Sequence, residues 1–225
     1  MKIYKLTIEL KSPCLIGSGE GFGAIIDSDI VFDEYGIPYI PSKRIKGCLR
    51  DSAIEICEMF ESAGINVLDL QKDKTENKYS IVTSIFGKPG NDKSAPVYFS
   101  NLTIQGYDDI KKWLAYLMNQ YSGLISREGI IEQYTEIRQQ TAIDETTGTA
   151  EEHSLRTIRV AKKGLVFEGS IDADIDDVKL LYFAVKNLRR LGTKRNRGYG
   201  EVECKLYDGS NEINFINELE VLCKQ

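Results

Sequence analysis

One segment of the chain has apolar residues every three or four positions, which predicts an amphipathic helix starting at Pro41 and Ser42. The apolar stripe consists of Ile45, Leu49, Ala53, Ile56 and Phe60. Ser42 is the expected N-cap, because its hydroxyl can accept a hydrogen bond from a free N–H group of the first turn. Lys43, Lys46 and Arg50 fall together about a quarter-turn from the stripe. The helix can therefore bury one side and present three cations beside it.

Strand-like segments surround this helix in an order that indicates a fold class. Period-two alternation predicts a first strand at 2–10, and a hairpin is expected at 25–40 around a turn at 33–36. Further extended segments are expected at 97–104, 131–143, 155–161, 164–171 and 201–207. Helices are expected at 108–121 and 175–191, and polar loops at 66–94. The order predicts one α+β domain over residues 1–225, with long insertions in a β-α-β-β-α-β core.

The last of these helices has charges that suit its dipole. Asp176 and Asp177 are expected in its first turn, and Arg189 and Arg190 in its last. Gly192 is the expected C-terminal stop. The helix should therefore end beside a loop that is rich in glycine and cations.

Composition argues against several classes of protein. Of 225 residues, 42% are hydrophobic and 28% are charged, and no apolar run approaches the roughly 20 residues of a membrane-spanning helix. The first residues alternate like a strand and lack the apolar block of a signal peptide, so we expect a cytoplasmic protein without membrane contact. Five cysteines without C-x-x-C spacing and a single histidine, His153, argue against zinc and against a disulfide framework.

The net charge of −5 conceals two basic segments. Residues 41–50 contain four cations and no acid, and residues 186–200 contain six cations and no acid. Without these ten charges the rest of the chain would carry −15. A polyanion responds to such local patches more than to net charge, because phosphate contacts are short-range at physiological salt. The distribution favours a nucleic-acid partner, although two solvated helix ends would give the same composition.

Both basic segments have local features that suit a nucleic-acid backbone. A helix start offers free N–H groups to an anion, and four cations would reinforce this preference: Lys43, Arg44, Lys46 and Arg50. The second segment, at 191–200, combines glycines for close approach, cations for phosphates and an aromatic ring for stacking. Its candidate contacts are Lys194, Arg195, Arg197, Gly198, Tyr199 and Gly200.

In four places, in order along the chain, the sequence resembles the RAMP (repeat-associated mysterious protein) superfamily of CRISPR–Cas systems. Residues 26–41 resemble the family's acidic hairpin and helix start, and Ile-Phe-Gly at 85–87 with Val-Tyr-Phe-Ser at 97–100 resembles its next motif. Residues 141–169 resemble its thumb, and the glycine-rich loop at 192–200 resembles its terminal loop. The resemblance is greatest to backbone subunits of type III effector complexes.

The sequence departs from the family pattern at three points. Pro-Ser-Lys-Arg-Ile-Lys-Gly at 41–47 stands where the family commonly has Pro-Gly-Ser-Ser-Leu-Lys-Gly. Asn101 stands where an acid often follows the Phe-Ser pair, and Ile143-Asp144 stands where the thumb usually has an arginine. The extra cations of the first departure fit contact with nucleic acid.

The resemblance implies a ferredoxin-like (RRM-like) RAMP core with inserted loops and a thumb β-hairpin at about 131–161. It implies as partners a CRISPR RNA, a target RNA, copies of the same chain and other type III effector subunits. In the type III subfamilies an aspartate near the first hairpin supports metal-dependent cleavage of target RNA by a 2′-hydroxyl. Asp27 matches that aspartate and is the first candidate for a catalytic role, with Asp29 second.

A carboxylate suits such a site for physical reasons. In-line attack by a 2′-hydroxyl needs an aligned nucleophile and a group that accepts its proton. Asp27 could hold a hydrated Mg²⁺ or Mn²⁺, or accept the proton itself. Asp29 lies two residues further on and would face the same side of an extended strand. Both acids could equally be solvated carboxylates at a sheet edge.

Two other functions remain open at this point. One is a structural RAMP subunit, or a general RRM-like RNA binder, without enzymatic activity. The other is the RAMP-fold endoribonuclease that processes the CRISPR transcript, which would require a monomer and His153 as general base. His153 follows the acidic thumb tip at 144–152, far in sequence from the hairpin, which favours a surface or packing role. The cysteines are expected to be small core residues.

Overall fold

A computed structural model describes residues 1–17, 26–65, 78–87, 96–121, 123–144 and 146–222. Its strands are β1 (Lys2–Leu10), β2 (Tyr98–Phe99), β3 (Thr103–Ile104), β4 (Thr135–Gln140), β5 (Arg156–Ala161), β6 (Val166–Ala173), β7 (Val202–Asp208) and β8 (Asn211–Glu212). Its helices are α1 (Ser42–Ser62), α2 (Lys78–Phe86), α3 (Tyr107–Gln120), α4 (Arg127–Tyr134), α5 (Val178–Asn187) and α6 (Ile216–Leu222). The loops expected at 66–77 and 88–94, the first hairpin residue at 25 and Cys223 lie outside the described residues.

The central sheet has the strand order β2-β6-β1-β7-β8, with β3 also paired to β6. All its pairings are antiparallel. The helix α1 connects β1 to the short strands β2 and β3, and α5 connects β6 to β7. This connectivity is that of a ferredoxin-like β-α-β-β-α-β unit, and the expected α+β core is confirmed.

The core lies between one face of the sheet and the helices α1 and α5. On β1 the residues Tyr4, Leu6, Ile8 and Leu10 are buried. Period-two alternation predicted the burial of Leu6, Ile8 and Leu10, but Ile3, predicted on the same face, is 68% exposed and Tyr4 is buried in its place. The helix α5 is buried along most of its length, and the Phe183 ring packs edge-on against Phe60 of α1 at 5.4 Å. Each buried aliphatic or aromatic side chain stabilises the fold by about 1.5–3 kcal/mol, so this layer holds the domain together.

Three described helices were not expected from the sequence. The segment 78–86 was expected to be a polar loop, but it forms α2, with Ile81, Val82, Ile85 and Phe86 buried. The helix α4 occupies the first four residues of the extended segment expected at 131–143. Its start is fixed by Ser126, whose hydroxyl accepts a hydrogen bond of 3.1 Å from the Gly129 amide. The helix α6 lies beyond the last expected strand.

The ends of α1 and α5 also differ from expectation. Pro41, not Ser42, is the N-cap of α1, and the Ser42 amide donates a hydrogen bond of 2.8 Å to the Asn101 side chain. The helix α5 begins only at Val178 and ends at Asn187, so the predicted acidic first turn and the arginine pair lie outside it. Propensity alone did not locate these ends, because tertiary contacts of the flanking residues determine them.

The segment 26–40 forms an irregular hairpin held by isolated bridges. Phe32 pairs with Pro38, and the Asp33 carboxylate accepts hydrogen bonds from the amides of Tyr35 and Ile37 at 2.9 and 2.8 Å. These bonds close the expected turn at 33–36. Within the described ranges, no helix is both long and apolar enough to span a bilayer.

Candidate nucleic-acid interface

The thumb is a separate two-stranded sheet formed by β4 and β5, in which Gln140 lies opposite Arg156. The segment after β1 attaches its base to the core. Cys14 and Ala161 exchange two backbone hydrogen bonds of 3.0 and 2.8 Å, and the next residue, Leu15, accepts one of 3.0 Å from the Thr193 amide. This short segment therefore places the thumb beside the glycine-rich loop.

The glycine-rich loop is a compact, ordered turn. Lys194 has a left-handed backbone with φ +58°, and a single 3₁₀ turn follows over Arg195–Arg197. The Arg197 amide donates to the Lys194 carbonyl at 2.9 Å, which closes the turn. Arg195 and Arg197 are exposed. The loop thus presents its cations to solvent from a fixed backbone.

Gln140, at the end of β4, ties the loop to the thumb. The Lys194 ammonium donates a hydrogen bond of 2.7 Å to the Gln140 side-chain oxygen. The Gln140 amide group in turn donates one of 3.1 Å to the Tyr199 hydroxyl. No sequence pattern indicates Gln140 as a site residue, because a polar residue at the end of a strand is ordinary.

Lys194 lies among charged groups from three segments. Burial is the largest effect on its pKa and lowers it, and the cations Arg197 and Arg156 lower it further. The Asp27 carboxylate acts in the opposite direction. These interactions place Asp27 and the thumb arginine Arg156 close to the glycine-rich loop. Two of the predicted site regions, Asp27 and the loop, are therefore neighbours.

The Asp27 carboxylate is positioned by β5. One oxygen accepts a hydrogen bond of 2.7 Å from the Thr157 amide, and the other one of 3.3 Å from the Arg156 guanidinium. The Asp27 side chain is 40% exposed. The Thr157 hydrogen bond, followed by the charge of Arg156, lowers the pKa of Asp27 below its usual value. Asp27 is therefore an ionised, partly exposed carboxylate that is fixed to the start of β5.

Asp29 also contacts β5, but its surroundings differ. Its side chain is 8% exposed and forms a 2.8 Å ion pair with Arg159, which is 16% exposed. The Arg159 guanidinium also lies 5.9 Å from the centre of the Phe32 ring. Asp29 thus fastens the hairpin segment to the thumb, whereas Asp27 faces solvent.

The two basic segments meet at Cys48 on α1. Burial raises the pKa of the Cys48 thiol, and the charges of Arg195 and Arg44 oppose that rise. One of these arginines comes from the glycine-rich loop and the other from the first turn of α1. Cys48 and Arg195 also line one cleft, together with Arg189, Arg190 and the acids Asp51 and Glu55. Segments about 150 residues apart in sequence therefore form one basic surface that also carries two acids.

The other predicted cations of α1 lie on a different side of the helix, about 130° around its axis from Arg44. Lys43 is exposed, and Lys46 and Arg50 are half-buried. In the described structure the Arg50 Nε is buried without a hydrogen-bond partner. The Ser42 amide donates to Asn101, and the Arg44 and Ile45 amides donate to the Pro41 carbonyl at 2.9 and 3.2 Å, so these first-turn N–H groups are not free for an anion.

A cleft of about 600 Å³ lies between the thumb and the glycine-rich loop. Gln140, Arg156, Lys194 and Arg197 line it. His153 lines it from the thumb tip, where it is exposed and has φ +60°. Three cations, Arg156, Lys194 and Arg197, and two carboxylates, Glu151 and Glu152, line this open cleft, so the cations exceed the acids by one.

The hydrogen bonds of Asp27 leave its carboxylate able to ligate a metal ion. The described residues contain no group of three or more His, Cys, Asp or Glu that could hold an ion. Asp27 keeps free lone pairs, because a carboxylate can accept about four hydrogen bonds and this one accepts two. Mg²⁺ commonly binds through one or two carboxylates together with substrate phosphates. Asp27 therefore fits an ion whose other ligands come from RNA and water.

The protein has an α+β fold with an antiparallel ferredoxin-like sheet, a thumb hairpin and a cationic glycine-rich loop. An open cleft lies between the thumb and this loop. The profile of the RAMP superfamily matches residues 7–203, and the chain belongs to that superfamily. The resemblance seen in the sequence is confirmed at this level. No curated protein matches the sequence significantly.

Two solved structures are similar in fold. A chain of the type III-B Cmr-beta complex bound to cognate target RNA superposes with a TM-score of 0.63 at 14% identity. The match covers 92% of this chain and 97% of that one. A chain of the same complex in its apo state gives a TM-score of 0.64 at 13% identity, with 92% and 98% covered. The ferredoxin-like RAMP fold therefore extends over nearly the whole chain.

Proposed function

We propose that this protein is a CRISPR RNA-binding backbone subunit of a type III effector complex, and that it cleaves guide-paired target RNA beside Asp27. One observation carries the proposal: a partly exposed carboxylate, Asp27, contacts Arg156, which lines a cleft together with Lys194 and Arg197. A phosphate chain in the cleft would be neutralised by these cations and would pass close to the carboxylate.

The similar solved structures support the type III assignment. Both are Cmr-beta complexes, and one is bound to its target RNA. In such an assembly, copies of this chain and other subunits would share one guide. The basic surface formed by Arg44, Arg195 and their neighbours would bind the guide backbone.

The proposed reaction is an in-line transesterification. The 2′-oxygen of the target attacks the adjacent phosphorus, and the bond from phosphorus to the 5′-oxygen breaks. Asp27 accepts the proton of the 2′-hydroxyl, and the departing 5′-oxygen takes a proton from water. The products are a 2′,3′-cyclic phosphate and a 5′-hydroxyl. Asp27 is ionised at neutral pH, as a proton acceptor must be, but its lowered pKa makes it a weaker base while Arg156 stays in contact with it.

Mg²⁺ or Mn²⁺ remains part of the proposal. Asp27 is the residue that would hold the ion, with RNA and water supplying its other ligands. When bound, the ion would polarise a phosphoryl oxygen and offset negative charge. Arg156 and Lys194 make the protein surroundings of Asp27 cationic, so such an ion would depend on the RNA phosphates for its affinity.

Guide binding is tested by neutralising the cations of the glycine-rich loop. Changing Lys194, Arg195 and Arg197 together to Gln should weaken guide binding and reduce the salt slope by about 0.7 per lost phosphate contact. The matched control changes Lys112 and Lys205 to Gln, since both are paired lysines on other surfaces. Equal guide affinity and salt slope in both variants would show that the guide does not lie along the glycine-rich loop.

Cleavage is tested in a reconstituted complex with labelled target RNA. Asp27→Asn keeps the size of the side chain and its contact with the Thr157 amide, so assembly and guide binding should persist. Cleavage should fall by about 10²-fold or more, the usual scale for a lost general base. Asp29→Asn is the comparison on the same segment. If Asp29→Asn alone abolishes cleavage in a folded complex, the assignment of Asp27 is wrong by two residues.

The position of His153 favours a second candidate function, processing of the CRISPR transcript. His153 lines the same cleft as Lys194 and Arg197, although it belongs to the thumb tip. This function predicts that the isolated chain cuts a repeat RNA and that His153→Ala stops it. The backbone-subunit function predicts assembly of several copies on one guide, with His153→Ala still cutting target.

A further inference from the structure

Arg156 is a cation of the cleft that belongs to neither basic segment of the sequence. It is the first residue of β5, and its side chain is 61% exposed. One of its guanidinium nitrogens contacts Asp27 at 3.3 Å. It lines the cleft from the thumb, facing Lys194 and Arg197 of the glycine-rich loop.

We propose that Arg156 is a substrate-contacting residue of the cleavage site, whose guanidinium exchanges the Asp27 carboxylate for the phosphodiester that lies against Asp27. This inference rests on the proposed function for its chemical role. The phosphate contact itself can be measured without cleavage.

The existing contact of Arg156 suits an exchange of partners. The bond to Asp27 is long and is made by a single nitrogen, whereas a guanidinium has five N–H donors. Its remaining donors can face the cleft. Two oxygens of one phosphate match the spacing of the guanidinium N–H groups. The single hydrogen bond to Asp27 would thus be replaced by two hydrogen bonds to the phosphate.

Asp27 does not need Arg156 to keep its position. The Thr157 amide donates 2.7 Å to the other carboxylate oxygen, and the Asp27 amide donates 2.8 Å to the Thr157 carbonyl. These backbone contacts remain when the guanidinium moves away. The exchange would therefore free one carboxylate oxygen towards the 2′-hydroxyl without displacing Asp27.

The other thumb arginines are bonded to carboxylates other than Asp27. Arg138 on β4 makes two hydrogen bonds of 3.1 and 2.8 Å to Glu136, and Arg159 is held in its buried pair with Asp29. Neither lines the cleft between the thumb and the loop. Arg156 is therefore the thumb arginine that the geometry assigns to RNA.

In the reaction, Arg156 changes no covalent bond and transfers no proton. As the 2′-oxygen bonds to phosphorus and the bond to the 5′-oxygen breaks, negative charge accumulates on the non-bridging oxygens. A guanidinium on these oxygens stabilises that charge, and loss of such a donor commonly costs about 10²–10³-fold in rate.

The contact is tested first by binding. Target RNAs with a single neutral methylphosphonate at successive positions are bound to the guide-loaded complex carrying either wild type or Arg156→Met. At the contacted position the substitution should weaken wild-type binding by about 10-fold, the scale of one charge-assisted hydrogen bond, and should leave Arg156→Met nearly unaffected. Arg138→Met is the matched control and should respond like wild type. If no position distinguishes Arg156→Met from wild type, the proposal is overturned.

The chemical role is tested by cleavage and by rescue. Arg156→Ala should cut at least about 10²-fold more slowly at saturating target. Added guanidinium ion should restore part of that rate in Arg156→Ala and nothing in Arg138→Ala, a result that a merely structural role would not give. If the wild-type complex never cuts target RNA but one methylphosphonate still weakens its binding more than that of Arg156→Met, the proposed cleavage is wrong. Arg156 would then remain a contact for target RNA. Normal cutting by Arg156→Ala would overturn its role in the reaction.

Discussion

The Lys194 ammonium lies 2.7 Å from the side-chain oxygen of Gln140, which joins the glycine-rich loop to the first strand of the thumb. The same amide also binds Tyr199. One neutral side chain therefore orients both a cation and an aromatic ring of the loop. The loop and the end of β4 are coupled through Gln140, and the cleft between them depends on it.

We expect Gln140→Leu to weaken RNA binding, although the change removes no charge. Lys194 and Tyr199 would lose their shared partner, and the loop would sample other conformations. The affinity for guide RNA should fall by about 10-fold, because two side chains that contact RNA would no longer be held in place by a hydrogen bond. Gln139→Leu is the matched control, because Gln139 is the exposed neighbour on the same strand. Equal affinities in titrations of the two variants would contradict the coupling.

The glycines of the loop should differ in their tolerance of alanine. Gly198 and Gly200 both have positive φ, +80° and +76°. A Cβ at Gly200 would lie 1.9 Å from the Leu191 carbonyl oxygen, whereas a Cβ at Gly198 would meet no atom within 4 Å. Gly198→Ala should cost about 1–2 kcal/mol of left-handed strain in the free energy of unfolding. Gly200→Ala should cost clearly more, and urea denaturation of both variants measures the difference.

Asp29→Ala should destabilise the protein by about 3 kcal/mol, because it leaves the Arg159 guanidinium buried without its carboxylate. Adding Arg159→Met should recover part of that loss, since the double variant no longer buries an unpaired charge. Chemical denaturation of the two single variants and the double variant gives the coupling. If the double variant loses as much stability as the two single variants together, the Asp29–Arg159 pair has no coupling free energy and does not stabilise the fold as a pair.

Much of the core could be predicted from the sequence. The alternation of β1 and the helical spacing of Ile45, Leu49 and Phe60 are set by burial against one layer, so periodicity alone identifies them. The helix α2 was missed because its residues lie in a polar stretch, and only packing against α1 explains its buried side chains. Local patterns predict elements with a strong period and fail where a short helix depends on its neighbours.

The candidate site was predictable only in part. The two basic segments and Asp27 stood out by charge and by resemblance, and the structure brings Asp27 and the loop together. Gln140 and Arg156 could not be found in the same way. Their importance arises from the pairing of β4 with β5, which places them opposite each other and beside the loop. No residue pattern within either strand indicates that contact.

The thumb tip offers a test by pH. The Asp144 carboxylate accepts hydrogen bonds from the Thr146 hydroxyl and from the amides of Thr146 and Thr147, at 2.7 and 3.1 Å for the amides. The Thr146 hydroxyl bond, followed by the amide bonds, lowers the pKa of Asp144 below its usual 3.8. The stabilisation from these bonds is therefore complete above pH 3.8 and is lost as the pH falls through the lower pKa of the folded tip.

We expect the tip at 144–152 to be the least protected part of the thumb in the absence of RNA, because its described residues are almost all exposed. Amide resonances of Thr146 and Thr147 should be unchanged from pH 7 to 5 and should shift together below about pH 4. The Gly148 amide, which donates to the Asp144 backbone carbonyl, is the internal control. Asp144→Asn should abolish the shift. Protection of the tip equal to that of β1 would contradict its expected mobility, because the tip has no comparable buried side chains to hold it closed.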